Sequence, residues 1–388
     1  MPRRWLMLAV LYLGRIAMGF QFQSVASVAA PMAADLGLDN TGIGTLVGLY
    51  MLPGLLIAVP GGLLGRRFGD RPSVIGALCL MAAGGAVTAL ADGFLLAAIG
   101  RVASGVGAIV IGVLMIKMVT DWFAGREMIT ASAIYFAGWP FGIAIGLVSQ
   151  GSLAEATSWQ TVLLLSSALI LVAALLLAFA YRDSPDAPPA DPGGRLFTLS
   201  RRELLLVSLV GLAWAFSTAG YVIVLAFAAA HLQARGYSVA GAGAMVSLQI
   251  WISLIAMPVG GWLVERLQRP YAVVCLAFLA NGAAVAAIPY TDQVWALFTL
   301  LGLIGGLPAG IIIALAAESL APANRAVGLG VYYTWFYGGM GLAPVVAGMA
   351  LDLSGDAAAP FLIPLVTALA AVATILLYRR HAAAMPGA

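Results

Sequence analysis

Charge is what this 388-residue sequence has least of. Its 19 basic and 16 acidic residues make up 9% of the chain, where an ordinary soluble domain carries about 25%. So few charges cannot cover the surface of a soluble protein of this size, which argues against soluble enzymes and nucleic-acid binders. The two cysteines, Cys79 and Cys275, both sit in apolar runs, so no disulfide framework is indicated. The two histidines, His231 and His381, lie far apart in the chain, and Lys117 is the sole lysine. No G-x-x-x-x-G-K-[ST], H-E-x-x-H or C-x-x-C run occurs, leaving no ATP-driven engine and no metal or redox motif. What the chain has instead is apolar length: 62% hydrophobic residues and a mean hydropathy of +1.02. It reads as an all-α polytopic membrane protein.

A spanning helix needs about 20 mostly apolar residues. Such segments fall near 5–33, 43–64, 73–91, 94–119, 129–150, 160–181, 203–231, 239–264, 271–289, 294–318, 326–351 and 360–378. The first follows Arg3 and Arg4 but is too long for a signal peptide core, and reads as a retained helix. With both termini in the cytoplasm, the tails and inner turns hold fifteen of the 19 basic residues, whereas the outer turns hold only Arg235. That asymmetry satisfies the positive-inside rule and suits a bacterial inner membrane. Three cations remain inside spans: Arg15, Arg101 and Lys117. The acidic residues fall at span ends and in loops, none near mid-membrane.

The Pro-, Asp- and Gly-rich stretch 182–202 reads as a cytoplasmic linker between an N-terminal bundle, 1–181, and a C-terminal bundle, 203–388. Internal similarity agrees. PGGLLGRRFGDRP from Pro60 resembles PVGGWLVERLQRP from Pro258, with Gly61 and Gly62 aligned to Gly260 and Gly261 at an offset of 199. The same offset pairs Gly37 with Gly236, Gly42 with Gly241 and Arg126 with Arg325. Two parallel six-helix halves are the repeat of the major facilitator fold.

Over essentially its whole length the chain resembles a major facilitator superfamily transporter. Gly62, Leu64, Arg67, Gly69 and Arg71 fit that family's G-x-L-x-D-R-x-G-R-R turn, although Arg66 stands in place of the acid and Asp70 in place of a base. The second-half turn keeps Gly261, Leu263, Glu265 and Arg266. The resemblance implies that Arg67, Arg71, Glu265 and Arg266 serve the inner gate. Arg101-x-x-x-Gly105-x-Gly107 resembles the family's fourth-helix motif, and GWPFG from Gly138 partly resembles the fifth-helix motif of drug exporters. Within the superfamily, GFQFQSVASVAAP from Gly19, KMVTDWFAGRE from Lys117 and GWPFGIAIG from Gly138 look most like the small-anion permeases of cyanate and nitrate type.

Helical periodicity then selects a face. At about 100° per residue, Arg15, Gly19, Phe22 and Ala26 share one line and Gln23 lies beside it. Adding 199 maps this face onto Trp214, Ser217, Thr218 and Tyr221, spaced i, i+3, i+4, i+7. In the resembled fold, related faces of the halves line a central cavity. Arg15 stands roughly 15 Å into its helix, where a charge costs at least about 2.5–3.5 kcal/mol, with no acid beside it in sequence. An anionic substrate would neutralise it, and a guanidinium suits a planar oxyanion. Gln249 occupies the repeat position of Tyr50. Tyr135 and Trp139, with Tyr332 and Trp335, form aromatic clusters that could close the site. Arg101 heads a small-residue stripe, Gly105, Ala108 and Gly112, suited to tight helix packing. It and Lys117 read as a second cation or as structural, Lys117 by snorkelling toward headgroups.

The resulting expectation is a monomeric secondary transporter, not an enzyme, without cofactor. It would carry a small organic or inorganic anion by alternating access, as an exchanger or a proton-linked carrier. A drug or amphiphile exporter on the same fold, and a non-transporting receptor or intramembrane enzyme, are the alternatives.

Overall fold

The computed structural model describes residues 3–58, 60–123, 127–185, 199–321 and 324–383. Most of the expected linker, 186–198, and Arg126 lie outside the described residues, as do the side chains of Arg66, Glu265 and Arg325. Every element among the described residues is helical. The first half runs α1 (Arg3–Ser27), α2 (Ala29–Leu36), α3 (Asn40–Gly48), α4 (Gly54–Ile57), α5 (Gly61–Phe68), α6 (Asp70–Ala89), α7 (Phe94–Phe123), α8 (Met128–Ala156) and α9 (Trp159–Ala180). The second runs α10 (Arg201–Ile223), α11 (Ala229–Ala234), α12 (Val239–Leu267), α13 (Pro270–Ala286), α14 (Val294–Gly306), α15 (Pro308–Glu318), α16 (Arg325–Ser354) and α17 (Ala359–Ala383).

The twelve apolar segments seen in the sequence are mainly helical, and ten helices among the described residues are long and apolar enough to cross a membrane. The second segment is instead divided into α3, α4 and α5, with a non-helical turn through Leu49–Pro53. Its hydropathy runs straight through that turn, so a window read it as one helix. The ninth segment is the shorter helix α13, followed by a 3₁₀ turn, Ile288–Tyr290.

The 199-residue offset is written into the backbone. Adding 199 carries α6 onto 269–288 beside α13, α8 onto 327–355 beside α16, and α9 onto 358–379 beside α17. Turn conformations recur as well. Gly37 and Gly236 both have positive φ, 62° and 93°, at the ends of equivalent helices; Gly69 and Gln268, also 199 apart, have φ of 86° and 52°. At 37 and 236 a side chain would strain the left-handed backbone, which explains the glycines that the sequence alignment paired. Where α1 gives way to α2 at Val28, the second half has a π-helical turn, Val224–Ala228, joining α10 to α11. Both halves thus interrupt the same helix at the same register.

The chain forms two compact units. Unit 1 comprises Met1–Leu38 and Leu49–Gly194, and unit 2 comprises Asp39–Gly48 and Arg195–Ala388. In unit 1, α1 packs on α8 and α9, and α6 on α7 and α9; in unit 2, α10 packs on α16 and α17, and α13 on α17. The membership of α3 in unit 2 has a local cause. Gly44 and Gly48, one turn apart, abut the carbonyls of Pro344 and Gly341 in α16, and Gly348 abuts that of Asn40. Such a small-residue seam lets two backbones approach. At its end Asp352 accepts hydrogen bonds from the backbone N–H of Asn40 (3.2 Å) and Thr41 (2.7 Å), and from both side chains. It caps α3 from another helix. Asp352→Ala is therefore expected to loosen α3 by about 1–2 kcal/mol. Hydrogen exchange across 39–48 should quicken roughly tenfold while α12–α15 stay unchanged; unaltered exchange there would refute the capping role.

Candidate functional site

The α1–α8 seam of unit 1 holds the expected charge. α1 and α8 meet backbone to backbone because Gly19 faces the Trp139 carbonyl and Gly142 faces that of Ile16. Against this seam the Arg15 guanidinium stacks on Tyr135, with Cζ 5.3 Å from the ring centroid. Its Nη1 donates to Met18 Sδ at 3.2 Å, a thioether and so a weak acceptor. Arg15 Nε is shielded and has no acceptor among the described residues, and Arg15 belongs to none of the ion pairs formed among them. A buried donor left this way costs about 1–3 kcal/mol, and more for a charged group.

Trp139 stands one turn after Tyr135. Its ring packs on Phe22 at 5.5 Å, and its buried Nε1–H also has no acceptor among the described residues. Gln23 is buried and donates to Ser27 Oγ at 3.3 Å. Sequence reasoning did not single out Gln150, which is fully buried on α8. Its Nε2 donates to the Phe20 carbonyl at 2.7 Å, while Oε1 has no donor among the described residues. A glutamine within an apolar run was the available signal.

The other two embedded cations are held by protein groups. Arg101, 1% exposed, directs Nη1 and Nη2 at the carbonyls of Gln21 and Phe22, each 3.4 Å away, and lies 4.6 Å from the Tyr50 centroid. It ties α7 to α1. The Tyr50 hydroxyl is 3.3 Å from both the Met18 carbonyl and Gln21 Oε1, and Gln21 donates to the Met81 carbonyl. Lys117 is paired with Asp70 at the start of α6 and with Asp121 one turn along α7 (3.2 Å). Snorkelling is thus not its main interaction: two carboxylates hold its amine. Asp70, the acid at a position where the family has a base, is what makes that pair. Nearby, Arg71 donates to the Ala178 carbonyl and Arg67 lies over Phe68 at 5.3 Å. Arg266 is exposed in the last turn of α12.

Unit 2 offers neutral groups. Trp214, Ser217 and Tyr221 lie along α10, and Thr218 bonds the Trp214 carbonyl at 2.9 Å. Gln249 on α12 is buried, and its Oε1 has no donor among the described residues. Tyr332 is 1% exposed and packs within the core of unit 2, with Tyr333 at 5.2 Å; its hydroxyl is likewise without a partner among the described residues. Trp335 is half exposed and meets α10 where Gly211 leaves room.

Ten helices long and apolar enough to cross a membrane among the described residues, turns that recur at an offset of 199, and a polar seam buried in unit 1 define an integral membrane protein. The sequence profile of the Major Facilitator Superfamily matches residues 11–231 and again 210–387. The chain belongs to that superfamily of secondary transporters. It is similar to the hexuronate transporter of Bacillus subtilis (strain 168), with 24% identity over 263 residues covering 64% of this chain and 61% of that one. The match thus spans about three fifths of that relative's length. It is also similar to the 3-(3-hydroxy-phenyl)propionate transporter of Escherichia coli (strain K12), with 24% identity over 363 residues, 90% of this chain and 88% of the other. The solved structure of the nucleoside transporter NupG superposes with a TM-score of 0.76 over 98% of this chain and 99% of that one, at 12% identity. That likeness speaks for the fold.

Proposed function

We propose that the protein carries a small anion, a carboxylate or another planar oxyanion, by alternating access, with Arg15 as its counter-charge. The observation that carries this reading is the state of Arg15: a guanidinium within a membrane helix, resting on an aromatic ring and a thioether, its Nε without an acceptor among the described residues. An oxyanion supplies both the missing charge and the missing acceptor. The resemblance to the small-anion permease branch supports the reading. So do the names of the two relatives, for hexuronate and a phenylpropionate are both carboxylates.

In this proposal Gln23, Tyr135 and Trp139 shape the site from unit 1. Trp214, Ser217, Tyr221, Gln249, Tyr332 and Trp335, on α10, α12 and α16, are the further substrate-binding residues of this proposal. Arg101 is a structural tie. Residues 1–181 and 203–388 are the two moving halves, with Arg67, Arg71, Glu265 and Arg266 at the inner gate. Both termini face the cytoplasm of a bacterial inner membrane, and the protein works as a monomer. The spans hold no mid-membrane carboxylate to take up a proton, which favours exchange of anions or entry of the substrate in protonated form.

A thermal-shift screen of the purified protein against simple carboxylates, inorganic oxyanions and lipophilic cations tests this. The expected result is stabilisation by one or more anions and none by the cations. Stabilisation by cations alone would overturn the reading in favour of an amphiphile exporter.

A further inference from the structure

Unit 1 leaves two N–H donors without acceptors among its described residues on a single seam: Arg15 Nε and Trp139 Nε1. Their placement is linked. A Cβ added to Gly138, the neighbour of Trp139, would lie 3.1 Å from Arg15 Cβ, and Gly19, one turn beyond Arg15, faces the Trp139 carbonyl. The Tyr135 ring carries the guanidinium on one side, and the Phe22 ring meets the indole on the other. The two residues therefore stand within about one helical turn of each other along the seam, each with its side chain against an aromatic ring.

The orientation of Arg15 matters too. Nη1 is engaged by Met18 Sδ, so the edge left for a ligand is the one carrying Nε. The indole N–H is a donor only. A cation with one edge available, plus a fixed neutral donor beside it, matches a ligand having two acceptor oxygens in one plane. A linear anion offers a single terminal acceptor at a time and is held by the cation alone.

Building on the anion reading above, we propose that Trp139 is a specificity-determining residue. Its indole N–H donates to one oxygen of a planar carboxylate while Arg15 holds the other, so monocarboxylates are selected over linear anions. Phenylalanine at 139 keeps a ring against Phe22 and removes the N–H, which separates hydrogen bonding from packing.

The test compares the affinities of full-length wild type, Trp139→Phe and Arg15→Ala for benzoate and for thiocyanate, by calorimetry in lipid nanodiscs. Trp139→Phe should weaken benzoate about tenfold and leave thiocyanate unchanged, and Arg15→Ala should abolish binding of both. In wild type, the Trp139 indole N–H resonance should move with benzoate and stay still with thiocyanate, a readout that does not depend on any variant folding. Equal weakening of both anions by Trp139→Phe, or none, with Arg15→Ala still inactive, would refute the role of Trp139 and leave the anion reading standing. Wild type binding neither probe nor any anion of the thermal-shift screen would overturn both.

Discussion

Replacing Arg15 by alanine is expected to lower anion uptake into proteoliposomes at least a hundredfold while yield and melting temperature stay near those of wild type. A hydrogen bond from a charged group contributes about 1.5–3 kcal/mol, a buried charge left without its partner costs about 3–5 kcal/mol, and every 1.4 kcal/mol is a factor of ten in affinity. The fold loses little because, among the described residues, Arg15 rests on the Tyr135 ring and the Met18 sulfur and forms no ion pair. No carboxylate among the described residues is left unpaired by its removal. Arg15→Lys keeps the charge but not the planar fork, and should fall between the two. Uptake at the wild-type level by Arg15→Ala would end the anion assignment.

The largest structural effect is expected from Gly19→Val. A Cβ at residue 19 would collide with the Trp139 carbonyl, and the reciprocal contact between Gly142 and the Ile16 carbonyl leaves α1 and α8 no room to slide apart at one point only. The obstacle is backbone, which cannot swing aside as a side chain would. Overpacking typically costs 1–3 kcal/mol and sometimes more; here the upper end applies, a fall in melting temperature of roughly 4 °C for a chain of this length. Gly76→Ala is the control, since nothing lies within 4 Å of a Cβ there. Equal melting temperatures for the two variants would show that the α1–α8 contact is softer than its geometry indicates.

Hydropathy and periodicity located the spans and the repeat because both signals are local, extending over 20 residues or recurring at a constant offset. What they missed is non-local. The break through Leu49–Pro53 lies in an apolar stretch whose local signal is Pro53, while the seam that draws α3 onto Gly341 and Pro344 is some 300 positions away. The small-residue stripe of Arg101 was legible, yet the Gln21 and Phe22 carbonyls that receive its hydrogen bonds belong to α1. Lys117 likewise finds Asp70 across a helix pair, 47 residues back. Aromatic spacing does not separate packing from binding: Tyr332 and Tyr135 are equally regular in sequence, and both are buried. The charge and depth of Arg15 stood out because a cation in an apolar run needs an explanation wherever it falls.

The left-handed residues at 37 and 236, and at 69 and 268, bear on descent. A duplicated segment is free to drift in its side chains, and here Gly69 faces a glutamine in the other copy. A non-glycine residue at positive φ carries a penalty of about 1–2 kcal/mol, and Gln268 nevertheless keeps the sign of φ, at 52° against 86° for Gly69. The corner thus recurs in both halves although its amino acid does not. What the two halves share by ancestry is a set of corners, which have outlasted the letters that first spelled them.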